Sequence, residues 1–228
     1  TKLCSFGELE KLTKRTGDGI FLKIGIYGGT FNPPHLGHLT AAAAVFSMLK
    51  LDKLLLIPAS VPPHKALPQS SADAADRLEM AALACAQLGP VAQALDTELH
   101  RTGPSYTVDT LRQLRMDHPE DELWLLMGTD MFLSLHTWHE PDVICHLAVI
   151  VGMHREEDKD GTMEQQKSLL EERFGDKAVV LHNVPLEISS THLRRMLILG
   201  GADHYMNPGV LSYIRENGLY GTGRDYKN

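Results

Sequence analysis

Residues 24–38 read IGIYGGTFNPPHLGH, and this stretch decides the fold that we expect. An apolar strand over Leu22–Tyr27 precedes Gly28-Gly29, where the absence of side chains permits a sharp turn and the close approach of a ligand to main-chain N–H groups. Asn32 and two prolines predict a turn ahead of an apolar helix over Leu39–Lys50. A strand, a glycine turn and a helix in this order present a helix N-terminus to an anion.

Two histidines stand beside this turn. His35 and His38 are three residues apart, so on a helical turn both imidazoles can face the same point. Each can donate a hydrogen bond to a phosphate oxygen. The chain has no G-x-x-x-x-G-K-[ST] and no G-x-G-x-x-G after this strand. A closed zinc site would need further Cys or His partners, so the pattern favours phosphate binding by the two histidines.

The segment GGTFNPPHLGH resembles the HxGH signature of the nucleotidylyltransferase superfamily, and its wording is most similar to the bacterial nicotinate-mononucleotide adenylyltransferases. The resemblance extends over about residues 22–220. It implies transfer of the adenylyl group of ATP to nicotinate mononucleotide, with release of pyrophosphate, in NAD biosynthesis. We also expect Mg²⁺ bound mainly through the ATP phosphates, with few protein ligands, because Mg²⁺ retains water molecules and binds substrate phosphates.

Four later segments carry the resemblance further: PPHK at 62–65, SYT at 105–107, GTD at 128–130 and ISSTHLRR at 188–195. The resemblance makes His35, His38 and Arg194 the expected catalytic residues. The residues expected to bind ATP are Gly28, Gly29, Thr30, Phe31, Gly128, Asp130, Ser189, Ser190 and Thr191. Those expected to bind the mononucleotide are Lys65, Tyr106, Thr107, Trp138 and His139.

Elementary chemistry supports several of these assignments. The Asp130 carboxylate is a natural acceptor for ribose hydroxyls. Hydroxyl groups at a helix start, followed one turn later by the Arg194 guanidinium, suit a triphosphate. By the resemblance Trp138 stacks on the nicotinate ring. His139 stands where many relatives have Tyr, which leaves the selectivity between acid and amide open; a protonated His139 would favour the acid.

Apolar runs alternate with helical segments along the chain, which predicts an α/β fold with a doubly wound parallel sheet, Rossmann-like in topology. Further strands are expected over Lys53–Pro58, Val91–Thr97, Glu122–Met127, His146–Gly152 and Ala178–Val184. Further helices are expected over Ser70–Leu88, Tyr106–Met116, Met163–Phe174 and Pro208–Asn217. On the first of these helices, Arg77 and Glu79 are interpreted as surface or interface charges rather than as site residues. We expect one nucleotidylyltransferase domain over 21–221, between an extension at 1–20 with no assigned role and a polar tail at 222–228.

Composition limits the partners of this 228-residue chain. The net charge of −7 argues against non-specific binding to nucleic acid. Three scattered cysteines, no apolar run of membrane-spanning length and no signal-peptide pattern predict a cytoplasmic protein with no membrane partner. The expected partners are ATP and nicotinate mononucleotide. The sequence leaves the oligomeric state open, and a homo-oligomer is compatible with it.

Other functions stay open at this point. The same chemistry could act on nicotinamide mononucleotide or on phosphopantetheine, although the PPHK, SYT and GTD segments speak more against phosphopantetheine. A non-catalytic nucleotide sensor could also use the fold. Such a sensor could lose either histidine or Arg194 without penalty, yet the chain retains all three. An interaction module would be favoured if residues 1–20 docked a partner.

Overall fold

The computed structural model describes residues 21–61, 67–68, 70–154, 161–175, 178–182 and 188–223. Six strands form one sheet in the order β3-β2-β1-β4-β5-β6. Their bounds are Lys23–Gly29 for β1, Lys53–Pro58 for β2, Ala92–Ala94 for β3, Glu122–Gly128 for β4, Val149–Met153 for β5 and Ala178–Leu181 for β6. The expected parallel α/β architecture is confirmed. The interpretations of residues 1–20, Lys65 and 224–228 lie outside the described residues.

Parallel pairing defines the register of the central strands. Lys23 pairs with Glu122 and Tyr27 with Leu126, while β5 pairs in parallel with both β4 and β6. The strand order changes direction at β1, since β2 and β3 follow on one side and β4 to β6 on the other. Ligands of doubly wound sheets bind outside the carboxyl ends of strands at such a point. The loop that follows β1 therefore begins at a position where this class of fold binds ligands.

Eight α-helices lie within the described residues. Their bounds are Leu36–Leu49 for α1, Ala74–Leu88 for α2, Thr107–Asp117 for α3, Thr129–Ser134 for α4, Pro141–Leu147 for α5, Thr162–Phe174 for α6, Ser190–Leu199 for α7 and Pro208–Glu216 for α8. Short 3₁₀ turns span Leu135–Thr137, Ala202–Tyr205 and Leu219–Gly221. Over the same described ranges, none of these helices has the length and apolarity needed to traverse a bilayer.

The first loop differs from the expected glycine turn. β1 continues through Gly28 and Gly29, and neither residue has a positive φ. The chain turns instead at Phe31, whose φ is 46°, and at the cis Asn32–Pro33 peptide bond. Helix α1 begins at Leu36, three residues before the expected start. Residues 36–38 thus belong to its first turn, which the polar and glycine-containing sequence did not reveal.

Other boundaries differ for local reasons. Helix α2 begins at Ala74 rather than at Ser70, because the Asp73 side chain caps it by accepting a hydrogen bond from the Asp76 N–H. The strand expected over His146–Gly152 begins only at Val149, since His146 belongs to α5. Helices α4 and α5 were not predicted, because they are too short to show a helical period. Strand β3 is also shorter than its predicted range.

The chain divides into two compact units. The first contains the described residues up to Tyr27, Ala44–Leu55 and the described part of Thr107–Val184. The second contains Gly28–Ala43 and the described parts of Leu56–Tyr106 and Pro185–Asn228. The core of the second unit joins α1, α2, α7 and α8 through the apolar side chains Leu39, Met80, Ala84, Leu193, Val210, Leu211 and Ile214.

Candidate nucleotide-binding site

The two histidines cap the start of α1 reciprocally. The His35 carbonyl accepts a hydrogen bond from the His38 N–H at 2.9 Å, and the Nδ1 atom of His38 accepts one from the His35 N–H at 3.2 Å. Because Nδ1 of His38 is an acceptor, a neutral His38 in this arrangement carries its ring N–H donor on Nε2.

The structure brings the two imidazoles together, as the sequence predicted. The rings of His35 and His38 stack with centroids 3.7 Å apart and an interplanar angle of 29°. The Phe31 ring meets His38 edge-on at 5.3 Å. His35 is 2% exposed, whereas His38 is partly exposed. The buried ring therefore supports the partly exposed one, and His38 is the histidine that a ligand can reach.

Three glycines shape this loop for different reasons. A Cβ on Gly37 would lie 3.0 Å from the His35 Nδ1 atom, so the His35 imidazole occupies the space that a side chain at position 37 would need. A Cβ on Gly29 would lie 3.1 Å from the Phe31 ring, whereas one on Gly28 would meet no described atom within 4 Å. Gly29 and Gly37 thus allow side chains to pack closely, and Gly28 leaves an open surface. Binding of ATP by residues 28–31 stays a prediction.

The second motif lies against the first. The Arg194 guanidinium donates hydrogen bonds to the Asn32 carbonyl at 2.7 Å and to the Thr191 hydroxyl at 3.1 Å. The Ser190 hydroxyl donates to the Pro33 carbonyl at 3.3 Å. These contacts join α7 to the turn that immediately precedes His35, across more than 150 residues of sequence. Two of the five N–H groups of Arg194 are used in them, which leaves others for a ligand.

Ser189, the remaining serine of this motif, caps the helix that follows it. The Ser189 hydroxyl accepts a hydrogen bond from the His192 N–H at 3.2 Å and so caps α7. The adjacent Arg195 is exposed on the same helix. Capping and ligand binding are compatible at a helix N-terminus, so the ATP-binding roles of Ser189, Ser190 and Thr191 stay predictions.

The Asn32 side chain holds the turn through several hydrogen bonds, which the sequence did not reveal. It is 4% exposed, and its amide donates to the Ser71 hydroxyl at 2.7 Å. Its Oδ1 accepts from the Tyr220 hydroxyl at 2.8 Å and from the Ala72 N–H at 3.3 Å. Burial raises the pKa of Tyr220, which keeps this hydroxyl protonated and donating. The turn before His35 is therefore held from two distant parts of the chain.

The interpretation of Arg77 as a surface or interface charge was wrong, because the side chain is buried within the chain. Its residue exposure is 1%, and its guanidinium donates to the carbonyls of Thr30 at 3.0 Å, Ser60 at 3.1 Å, Ala59 and Ala72. Burial lowers its pKa, yet a guanidinium retains its proton in proteins. Helical spacing could have revealed this position, because 77 precedes the buried positions 80, 81 and 84 by three, four and seven residues. Glu79 is exposed, as expected.

Other expected residues lie in the first unit. Gly128 ends β4, and Asp130 in the first turn of α4 is exposed, so its carboxylate is accessible to a ligand. The Trp138 ring is partly exposed, and its Nε1 donates to the Ser134 hydroxyl at 3.3 Å. Thr107 is the first residue of α3, as predicted for a helix that begins in the SYT segment. Tyr106, which precedes it and belongs to the second unit, is partly exposed.

An ion pair orders the residues after Trp138. Glu140 adopts a left-handed conformation with φ 49° and ψ 59°. Both carboxylate oxygens of Glu140 accept hydrogen bonds from Arg112, one of them at 3.2 Å, and the His139 Nε2 lies 3.3 Å from Oε1. The bond to Arg112 lowers the pKa of Glu140. Sequence reasoning did not identify this pair, since no local pattern connects positions 28 residues apart.

The described residues contain no group of three His, Cys, Asp or Glu side chains arranged to hold a metal ion. His38 and Arg194 carry hydrogen-bond donors, and the Phe31 ring packs edge-on against His38. Such a set can bind phosphate oxygens and stabilise negative charge. It contains no nucleophile with an adjacent general base, so it does not indicate covalent catalysis.

Fold and site together define a nucleotidyl-transfer class, and the comparisons agree: the chain belongs to the cytidylyltransferase-like family, whose sequence model matches residues 26–196. Within it, the chain is similar to a probable nicotinate-nucleotide adenylyltransferase of Pseudomonas syringae pv. tomato, at 37% identity over 210 residues that cover 87% of this chain and 93% of that protein. A protein of Geobacillus thermodenitrificans with the same name is 40% identical over 201 residues, covering 87% and 86%. The resemblance predicted from the motifs is confirmed.

A solved structure shares the fold. The Plasmodium falciparum nicotinic acid mononucleotide adenylyltransferase complexed with NaAD superposes with a TM-score of 0.71 at 18% identity. The match covers 89% of this chain and 98% of that one. At this identity the likeness establishes the architecture, and it agrees with the parallel sheet described above.

Proposed function

We propose that the protein transfers the adenylyl group of ATP to nicotinate mononucleotide, forming nicotinate adenine dinucleotide and pyrophosphate in NAD biosynthesis. The observation that carries the proposal is the junction of the two phosphate motifs, in which Arg194 bonds the Asn32 carbonyl beside the stacked His35 and His38 rings. The names of the similar bacterial proteins support the choice of substrate.

The chemistry asks for position and charge stabilisation rather than for a covalent intermediate. The acceptor phosphate is already an anion, and its oxygen attacks the α-phosphorus of ATP while the bond to pyrophosphate breaks. His38 offers its Nε2–H to a phosphate oxygen, and the buried His35 ring holds it in place. Arg194 offers its remaining N–H groups from a side chain already fixed by Asn32, so little reorganisation is needed during the reaction.

Mg²⁺ belongs to the proposal as a substrate-bound ion. Histidine and arginine donors do not replace the oxygen ligands that Mg²⁺ prefers, so phosphate oxygens and water would coordinate it. The ion would neutralise part of the phosphate charge. The protein residues would then bind the outer phosphate oxygens that the metal leaves accessible.

Recognition of the pyridine is proposed for Trp138, Thr107 and His139. A partly exposed indole offers a face for stacking, and the first-turn N–H groups of α3 suit a carboxylate. A carboxylate only accepts hydrogen bonds, whereas a carboxamide also brings an NH₂ group that needs an acceptor. If His139 favours the acid, His139→Ala lowers the ratio of nicotinate to nicotinamide turnover; an unchanged ratio removes His139 from the proposal.

The direct test is pyrophosphate release from ATP and Mg²⁺ with nicotinate mononucleotide, nicotinamide mononucleotide or phosphopantetheine as acceptor. We expect turnover with the nicotinate compound to exceed the others and to fall at least 100-fold in His38→Ala, the range of a lost charge-stabilising donor. His192→Ala, an exposed histidine on α7, is the matched control and keeps full activity.

A second matched pair tests the other motif. Arg194→Ala removes a guanidinium that bonds the turn, whereas Arg195→Ala removes its exposed neighbour on the same helix. We expect a large loss of kcat/KM in the first variant and little change in the second. Preference for another acceptor would retain the mechanism and refute the pocket assignment. Nucleotide binding without pyrophosphate release from any acceptor would refute the enzyme proposal in favour of a sensor.

A further inference from the structure

The buried Arg77 side chain joins two loops of the second unit. It donates to the Thr30 carbonyl, just after β1, and to the Ala59 and Ser60 carbonyls, just after β2. The Ala59 N–H also donates to the Gly29 carbonyl at 2.9 Å. One guanidinium and one main-chain bond thus hold these two loops together beside the histidine turn.

The connection continues to the third segment of the site. The Val61 carbonyl accepts a hydrogen bond from the Ser105 N–H at 3.0 Å. Ser105 precedes Tyr106 and Thr107, which are expected to bind the mononucleotide. The loop after β2 is therefore bonded to the expected ATP loop on one side and to the pyridine segment on the other, with Arg77 at the centre.

The direction of these bonds sets the direction of peptide N–H groups. In a trans peptide unit the C=O and the following N–H point in opposite directions. The only cis bond in the described residues is Asn32–Pro33. Because the carbonyls of Thr30, Ala59 and Ser60 point toward Arg77, the N–H groups of Phe31, Ser60 and Val61 point away from it.

We propose that Arg77 is a positioning residue for the reaction, which orients these three peptide units so that their N–H groups serve the nucleotide phosphates. The inference rests on the proposed function, since it assigns a task within the same site. A planar guanidinium suits this task because its five donors lie in a fixed fork, which no other side chain provides.

The test compares Arg77→Met and Arg77→Lys with wild type and with Met80→Ala. Met80 is fully buried one turn further along α2 and contributes only packing, so its variant provides a matched loss of thermal stability. We expect Arg77→Met to raise the KM for ATP at least tenfold, Arg77→Lys to recover part of that loss, and Met80→Ala to leave the KM unchanged. With ATP bound, hydrogen exchange should accelerate at the amides of Phe31, Ser60 and Val61 in both Arg77 variants and not in Met80→Ala.

An Arg77→Lys variant that keeps wild-type KM and wild-type amide protection overturns the proposal, as does a KM change in Met80→Ala equal to that in Arg77→Met. If Arg77→Met does not fold, Arg77→Lys and its exchange rates still decide. Wild-type protein that releases no pyrophosphate from any acceptor refutes the proposed function instead. In that case the dissociation constant for ATP, measured in wild type and Arg77→Lys, separates the two failures: equal values overturn the positioning role, and a weaker value in the variant supports it.

Discussion

Replacing Gly37 by Ala should impair the histidine pair while leaving the fold intact. The added Cβ would lie 3.0 Å from the His35 Nδ1 atom and 3.1 Å from its Cε1 atom, so the ring must shift by a few tenths of an ångström to reach ordinary contact. The ring is buried and stacks on His38 at 3.7 Å, so the shift is passed to His38, the residue proposed to meet the phosphate.

The magnitude follows from that displacement. A shift of about 1 Å in a reacting group costs on the order of 100-fold in rate. A shift of about 0.4 Å therefore costs roughly sixfold, or about 1 kcal/mol of barrier. Stability should change little, because Ala in a helix is favoured over Gly by up to about 1 kcal/mol and this gain offsets the tighter contact.

The assay is steady-state pyrophosphate release, with Tm measured for each variant. His35→Ala provides the second background, since it removes the ring that the new methyl group would meet. We expect Gly37→Ala to lose activity in wild type and to cause no further loss in His35→Ala, which is the non-additivity of two residues that act through one contact. Equal losses in both backgrounds would refute the reasoning, as would unchanged kcat/KM in the single variant.

Three further outcomes are expected. Gly25→Ala should destabilise the protein by about 1–3 kcal/mol, because the added Cβ would lie 2.6 Å from a buried leucine methyl. A denaturation curve combined with turnover should show that the activity per folded molecule is unchanged. The hydrogen bond from Tyr213 to Asp76 raises the pKa of Tyr213 to about 12, whereas an unfolded tyrosine has a pKa of about 10. Folding therefore favours the neutral phenol, and stability is lost as pH rises from about 10 to about 12. The Tm of Tyr213→Phe should fall less over that window than the Tm of wild type. Glu140→Gly should relieve the strain of the left-handed backbone and break the ion pair with Arg112. Because these two effects on stability oppose each other, Tm should change little, while the nicotinate-to-nicotinamide turnover ratio shifts. A constant ratio would show that this pair does not order the pyridine pocket.

Local sequence signals determined much of the site. The three-residue spacing of His35 and His38 placed both rings on one turn, and the hydroxyl residues ahead of Arg194 correctly predicted the start of α7. The alternation of apolar runs with helical segments predicted the parallel α/β sheet. Each of these features depends on residues within a few positions of one another, which is the range over which helical and strand periods act.

Only the tertiary structure decided how those parts are held. The partners of the Asn32 side chain lie 39, 40 and 188 residues away, and Arg77 reaches carbonyls 17, 18 and 47 residues away. Every residue carries a carbonyl, so composition and spacing cannot indicate which carbonyl a distant guanidinium will meet. That choice is made when buried polar groups must find partners as the core packs. The sequence motifs therefore indicated which residues to propose for phosphate binding, whereas the hydrogen bonds that position these residues could be seen only in the fold.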